Sequence, residues 1–159
     1  MPTPDFILAL REKIGTHPLW LSGVTAVVLR GEGDDVELLC VRRADTGEWT
    51  PVTGIIDPGE QPAVAAEREV LEEASVVAVA ERLASVGVSH AIEYANGDQA
   101  QYLDLTFRCR WVSGEPAVGD DENTDARWFP VAQLPPMDEG YASRIHAAVA
   151  DEPHARFRR

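Results

Sequence analysis

No apolar run in this chain approaches the roughly 20 residues that a helix needs to cross a bilayer. A membrane partner is therefore not expected. The opening residues, Met1-Pro2-Thr3-Pro4-Asp5, carry no basic segment ahead of an apolar one, so no secretory signal is expected either. Cysteine is scarce, with Cys40 and Cys109 alone. Both fall in apolar, strand-like segments without zinc-type spacing, and both read as buried free thiols. A reducing cytoplasm is the expected compartment. Positive charge is short as well: 14 Lys and Arg stand against 27 Asp and Glu, a net charge of −13. Binding of a nucleic-acid duplex needs basic surface and is not expected. Neither a nucleophile elbow nor a P-loop pattern occurs, and no complete Ser or Cys catalytic constellation is present.

What remains suits one domain over residues 1–159, with 45% hydrophobic residues and enough length to bury a core without staples. If the chain self-associates, a homodimer is the commonest arrangement. The carboxylate excess has two readings. It can be a solvated surface that keeps the protein soluble, or part of it can be clustered to hold cations and admit an anionic substrate. Bulk charge does not choose between them; positions do.

Along the chain, residues 4–14 read as a short amphipathic helix, with Thr3 as cap, Phe6, Ile7, Leu10 and Ile14 as the apolar stripe, and Gly15 as the stop. Residues 23–30 and 36–43 read as strands joined by a turn at 31–35. Residues 49–60 hold two prolines and two glycines and read as largely loop. Residues 62–74 form the clearest helix. Segments 76–80 and 83–90 read as strands, and a hairpin is expected around Asn96-Gly97. After it, Leu103, Leu105, Phe107, Cys109 and Trp111 alternate with Asp104, Thr106, Arg108 and Arg110, the pattern of a strand with one buried face. Residues 114–123 read as an acidic loop, 126–129 as a short strand, about 138–150 as a last helix, and the tail from His154 as frayed. Hairpins without regular βαβ alternation favour an α/β fold with a mixed sheet and helices on its faces.

On the helix from 62 to 74, about 100° per residue puts Glu69, Glu72 and Glu73 within one narrow face. Val64, Leu71, Ala63, Ala74 and Val70 fall on the broad opposite side. The helix is expected to bury that side and aim the carboxylates outward. Like charges at i,i+4 cost roughly 0.2–0.5 kcal/mol each, and the one adjacent Arg68 cannot serve three. Converging hard oxygens suit Mg²⁺, Mn²⁺ or Ca²⁺. An ordinary solvated glutamate-rich helix is the alternative from the helix alone.

The preceding loop tips that balance. Gly54, Glu60, Arg68, Glu69, Val70, Glu72, Glu73 and Val76 stand at the spacing Gly, five residues, Glu, seven residues, Arg-Glu-aliphatic, one residue, Glu-Glu, two residues, aliphatic. Chance matching at average composition is on the order of 10⁻⁸ per starting position. This segment resembles the Nudix box. Arg42-Arg43 with Trp49, and Arg127-Trp128-Phe129 with Leu134-Pro135, resemble the family's flanking segments, so the likeness covers roughly residues 20–135. It implies an α/β/α sandwich with a mixed sheet and a loop–helix–loop box. It further implies a hydrolase that cleaves a diphosphate bond with Mg²⁺, or with Mn²⁺ in its place. Glu72 and Glu73 would be metal ligands, Glu69 a ligand or the general base, and Arg68 its orienting partner. Glu60 would support the loop or assist a metal, and the Thr53 carbonyl would complete a coordination shell. Ser75 stands where the family has glycine, so a differently shaped helix exit is expected.

A ligand from a second element is expected among Asp120, Asp121 and Glu122, with Glu122 chosen; a solvated acidic turn is the alternative. For the substrate, Trp49, Arg43 and Tyr94 are the candidate contacts. Trp49 packing on its own loop and Tyr94 serving the hairpin are the bland readings. ADP-ribose hydrolases of the family carry a proline some way after the box, and residues 77–115 contain none. The choice is therefore a nucleoside or deoxynucleoside triphosphate, cleaved to monophosphate and pyrophosphate. ADP-ribose or a dinucleoside polyphosphate is the alternative, and a non-catalytic nucleotide-binding module is the alternative of another class.

Overall fold

The computed structural model describes residues 3–159. Met1 and Pro2, where the reading of the N-terminus and of the 1–159 domain begins, lie outside the described residues. In chain order the elements are α1 (Asp5–Ile14), β1 (Leu19–Arg30), β2 (Glu37–Arg43), β3 (Trp49–Thr50), β4 (Val52–Ile55), α2 (Pro62–Ala74), β5 (Val77–Val88), β6 (Ile92–Glu93), β7 (Gln99–Ser113), β8 (Asn123–Pro130), α3 (Glu139–Val149) and β9 (Arg156–Phe157).

The sheet grows outward from β1, whose Val24-Thr25-Ala26-Val27-Val28 run suits a strand covered on both faces. β1 runs parallel to β7 from Leu19↔Ala100 to Leu29↔Arg110. On its other edge it pairs antiparallel with β4 over Gly23 to Ala26 and with β2 at Leu29 and Arg30. The longest path through the sheet is β3-β2-β1-β7-β5-β9. Period-two alternation then sorts the core. Val24, Ala26 and Val28 pack with Ala65, Ala66, Val70 and Ala74 of α2 on one face. Val27 and Leu29 pack with Ile145, Ala147 and Ala148 of α3 on the other. Ile7 of α1 covers Leu21 and Ala100 nearer the start of β1. The result is a mixed α/β/α sandwich, as the sequence implies. Cys40 and Cys109 are both buried free thiols, each pushed up to about 12 by burial.

Several expectations are corrected. Pro4, not Thr3, precedes the first turn of α1, and no side chain caps it. Residues 49–60 are not mostly loop, since β3 and β4 lie within them. The two segments after the box are one strand, β5, broken in register near Ala80–Arg82 and Leu83–Ser85. The tail is not frayed throughout: Arg156 and Phe157 pair parallel with Ser85 and Val86 of β5. The polar side of β7 is solvent-facing at Arg110 but not at Asp104 and Thr106. Asp104 and Thr106 are buried because β7 lies between β1 and β5 and α3 covers that face. Asp104 accepts from the Thr25 and Thr106 hydroxyls, each at 2.7 Å, and pairs with Arg144 of α3 at 3.4 Å. A buried carboxylate needs such partners to remain there.

Candidate active site

α2 begins at Pro62, a residue preorganised for a first helical turn. The turn before it closes on Glu60. The Asp57 N–H donates to Glu60 Oε2 at 3.1 Å, and the Glu60 N–H donates to the Asp57 carbonyl at 3.0 Å. Two helical turns on, the Arg68 guanidinium reaches back over this loop. Its Nε and Nη2 donate to the two oxygens of Glu60 at 2.8 and 2.9 Å, a bidentate pair. Nη2 also donates to the Ile55 carbonyl at 3.2 Å, which ties loop, helix and β4 together. Nη1 donates to Glu69 Oε1 at 2.8 Å and to Glu72 Oε2 at 3.2 Å. One cation thus gathers three carboxylates of the box. Hydrogen bonding to Arg68 holds the Glu60 carboxyl below the usual range despite some burial.

The expected orientation of the helix is corrected in part. Glu69 and Glu73 are 1% and 5% exposed and face the sheet, whereas Val64 and Leu71 are 54% and 53% exposed. Val70 and Ala74 are buried as the wheel expects and Glu72 is partly exposed, but Val64 and Leu71 exchange places with Glu69 and Glu73. Gly54 makes room for Glu69. A Cβ there would overlap the Glu69 carboxyl, so only glycine leaves the space that this side chain fills. Burial pushes Glu69 up to about 7, partly offset by Arg68 and reinforced by Glu72 and Glu122. Burial likewise pushes Glu73 up to about 8; a hydrogen bond from Asn123 opposes this, while Glu69, Glu122 and Asp120 add to it. Gly54→Ala is expected to cost about 1–3 kcal/mol through overpacking and displacement of Glu69. A urea titration checks this, and a midpoint equal to wild type would mean that Glu69 does not need the cleared space.

The helix exit keeps its shape. Ser75 adopts the left-handed conformation itself (φ 56°), with its N–H on the Leu71 carbonyl at 3.1 Å. The substitution therefore costs backbone strain rather than a new path. Beyond the exit, residues 114–123 fold back onto α2. Glu122 is exposed and its carbonyl accepts from the Ala44 N–H at 2.7 Å, so the acidic loop is tied to the segment after β2. Its charge acts on Glu69 and Glu73, and on Arg43.

The other candidates are engaged elsewhere. Arg43 makes a two-point contact with Asp45, at 2.9 and 2.8 Å. Trp49 lies edge-on to Phe129 at 4.9 Å between ring centres, within the core on the α3 side. The Tyr94 hydroxyl meets that of Tyr102 at 2.7 Å. The structure thus brings Glu60, Arg68, Glu69 and Glu72 together, with Glu73 beside them. Sequence reasoning missed Asn123 and Gly119. Only the turn-like composition of 114–123 hinted at them, and it does not say what the loop touches.

Among the described residues, no three acidic, His or Cys side chains already converge on one ligating point. Arg68 already joins Glu60, Glu69 and Glu72 and so holds these carboxylates close to one another. The donor set nevertheless fits a hard divalent cation. It is all oxygen, two of its carboxylates are buried against their charge, and further acids crowd them.

The NUDIX domain family model matches residues 20–148. The NAD-capped RNA hydrolase NudC of Pseudomonas putida is 32% identical over 72% of this chain and 38% of its own length, so the chain spans well under half of such relatives. A MutT-like protein of Streptomyces ambofaciens is 32% identical over 87% of this chain and 84% of its own length. Among solved structures, an ADP-ribose pyrophosphatase from Streptococcus suis shares the fold with a TM-score of 0.64 at 19% identity, covering 86% of this chain and 96% of that one. A family match over most of the chain, relatives at 32% identity and a box that keeps its four glutamates around Arg68 lead to one conclusion: the chain belongs to the Nudix hydrolase family.

Proposed function

We propose that the chain hydrolyses a diphosphate bond in a nucleoside diphosphate derivative with the help of a divalent cation. The observation that carries this is the imbalance around Arg68. One guanidinium serves Glu60, Glu69 and Glu72, while Glu73 lies buried next to them. Glu69, Glu72 and Glu73 would hold Mg²⁺, or Mn²⁺ in its place, with the Thr53 carbonyl, Glu60 and Glu122 as further oxygen donors. When bound, such an ion neutralises phosphate oxygens and acidifies a water molecule. The chain's own groups do the rest. Arg68 fixes the direction of the Glu69 carboxylate. Glu69 serves as ligand or takes the proton from the attacking water. That water forms the new P–O bond as the bridging P–O bond breaks, so no covalent enzyme intermediate is needed. Arg43, Trp49 and Tyr94 remain the candidates for contact with the nucleoside part.

For the substrate, the reading taken is a nucleoside or deoxynucleoside triphosphate, released as monophosphate and pyrophosphate. The proline-free stretch from 77 to 115 supports it against ADP-ribose. A second reading, a dinucleotide of the NAD type, is favoured by the 32%-identical relatives named as NAD-capped RNA hydrolases. A panel of triphosphates, ADP-ribose, a dinucleoside polyphosphate and NADH, assayed with Mg²⁺ and with Mn²⁺, separates these. Triphosphates are expected to lead ADP-ribose by about tenfold or more in kcat/KM, roughly 1.4 kcal/mol at the transition state. A preference for NADH would establish the second reading. Tight binding without turnover of any compound would instead point to a binding module.

A further inference from the structure

The segment after β7 returns to the C-terminal end of α2 and takes hold of it. The Ala117 N–H donates to the Ala74 carbonyl at 3.0 Å, and the Gly119 N–H to the Glu73 carbonyl at 3.1 Å. These are among the last four carbonyls of the helix, which no intrahelical donor reaches. Gly119 passes so near the Glu72 carbonyl that a Cβ on it would overlap that oxygen. The backbone contact is thus built for close approach. The remaining contact is with a side chain. Asn123 Nδ2 donates to Glu73 Oε2 at 2.8 Å, and Asn123 is itself only 6% exposed. Asn123 begins β8, opposite Arg43, so the sheet fixes its backbone. The segment therefore meets Glu73 at both its carbonyl and its carboxylate.

We propose that Asn123 is a positioning residue for Glu73. It fixes one carboxylate oxygen and leaves Oε1 to bind a cation. This rests on the reading of Glu73 as a metal ligand given above. The chemistry of the partner matters. Arg68 holds Glu60, Glu69 and Glu72 by charge, and a second guanidinium on Glu73 would neutralise a ligand and compete with the ion. An amide donates one strong hydrogen bond, carries no charge and keeps its proton across the working pH range. It orients Glu73 without cancelling its charge. Partners of this kind, one bond removed from a metal, typically change affinity or activity by about 10–100-fold when lost.

The test is a double-mutant cycle on metal affinity. Mn²⁺ binding is measured by the paramagnetic resonance signal of the free ion, using wild type, Asn123→Leu, Glu73→Gln and the double variant. Asn123→Leu keeps the number and branching of the side-chain heavy atoms and removes the donor. It is expected to weaken Mn²⁺ binding by about 10–100-fold, and raising Mg²⁺ should restore much of its turnover. In the Glu73→Gln background the same change should cost less than about twofold, because the group it acts through has gone. Circular dichroism in chelator checks folding. If the leucine variant does not fold, Asn123→Ser, too short to reach Glu73, takes its place. Unchanged Mn²⁺ affinity in the Asn123 variant would overturn the proposal. So would a loss that persists in full beside Glu73→Gln, because it would show a general structural role. A wild-type protein that takes up no Mn²⁺ would remove the ligand reading of Glu73 and this inference with it. Normal wild-type uptake with an indifferent Asn123 removes the inference alone.

Discussion

Glu69→Gln and Glu72→Gln are each expected to lower kcat/KM by about 10²–10⁴-fold while leaving the chain folded. Each change keeps the shape of the side chain and removes the charge that a metal or a transferred proton needs. Glutamine at 69 still fills the space beside Gly54 and still offers Arg68 an oxygen, so the packing argument predicts little structural loss. Glu72 is only half-buried and its bond to Arg68 is 3.2 Å, so its removal costs the fold even less. The loss should appear mainly in kcat, because these groups act on the reacting bond rather than on the distant part of the substrate. Glu67 is the control within the same helix. Its Oε1 accepts from the Ala80 N–H at 2.9 Å, away from Arg68, and Glu67→Gln should hydrolyse at close to the wild-type rate. If the 69 and 72 variants match the Glu67 control, the box carboxylates do not carry the reaction.

The same helix shows what a sequence can and cannot reveal. Its limits, Pro62 to Ala74, follow from local rules: a proline suited to the first turn, a run of good helix formers, and an exit after Ala74. Which residues it buries follows only in part, for Val70 and Ala74. A hydrophobic wheel sends glutamate to solvent, and here Val64 and Leu71 are outside while Glu69 and Glu73 are inside. The burial of Glu69 uses the space of the missing Cβ of Gly54, and its partner is a guanidinium folded over the loop, both contacts between elements. β7 errs in the same sense. Its alternation is real, but the side carrying Asp104 and Thr106 is covered by α3, and the partner Arg144 lies 40 residues further along the chain than Asp104. Periodicity reports which residues share a face, not what covers it. The box is different because its spacing is itself the signal, so Glu60, Arg68, Glu69 and Glu72 were legible as a group. Asn123 was not, because a single amide in an acidic loop has no spacing to recognise.

In chelator, the protein is expected to lose stability as pH rises from about 5 to about 8, and Mg²⁺ is expected to remove most of that loss. In the folded chain Glu69 is pushed up to about 7 and Glu73 to about 8, both chiefly by burial, from an ordinary value of 4.5. In the unfolded chain both ionise near that ordinary value. Between the unfolded and folded values the folded state therefore holds more protons than the unfolded state. Stability then falls with rising pH, and the contribution is intact only below the unfolded pKa. Each unit of difference corresponds to about 1.4 kcal/mol, so the two groups together can lower stability by a few kcal/mol across this window. A divalent cation bound only by the folded chain takes the place of the protons. It stabilises by RT ln(1 + [L]/Kd), about 1.4 kcal/mol at tenfold excess over Kd, which amounts to a few degrees in Tm. Because protons compete for the same oxygens, the Mg²⁺ effect should be small at pH 5 and large at pH 8. Glu73→Gln, neutral throughout, should flatten the chelator curve and lose much of the Mg²⁺ response. The exposed Glu12→Gln removes the same formal charge and should change neither, which separates the site from the general repulsion of a chain at −13. The measurement is Tm against pH for these three proteins, in chelator and in Mg²⁺, at matched ionic strength. A chelator curve that is flat or rising between pH 5 and 8 would show that Glu69 and Glu73 are not held against their charge. A Mg²⁺ increment equal at both ends would show that the ion binds somewhere other than these carboxylates.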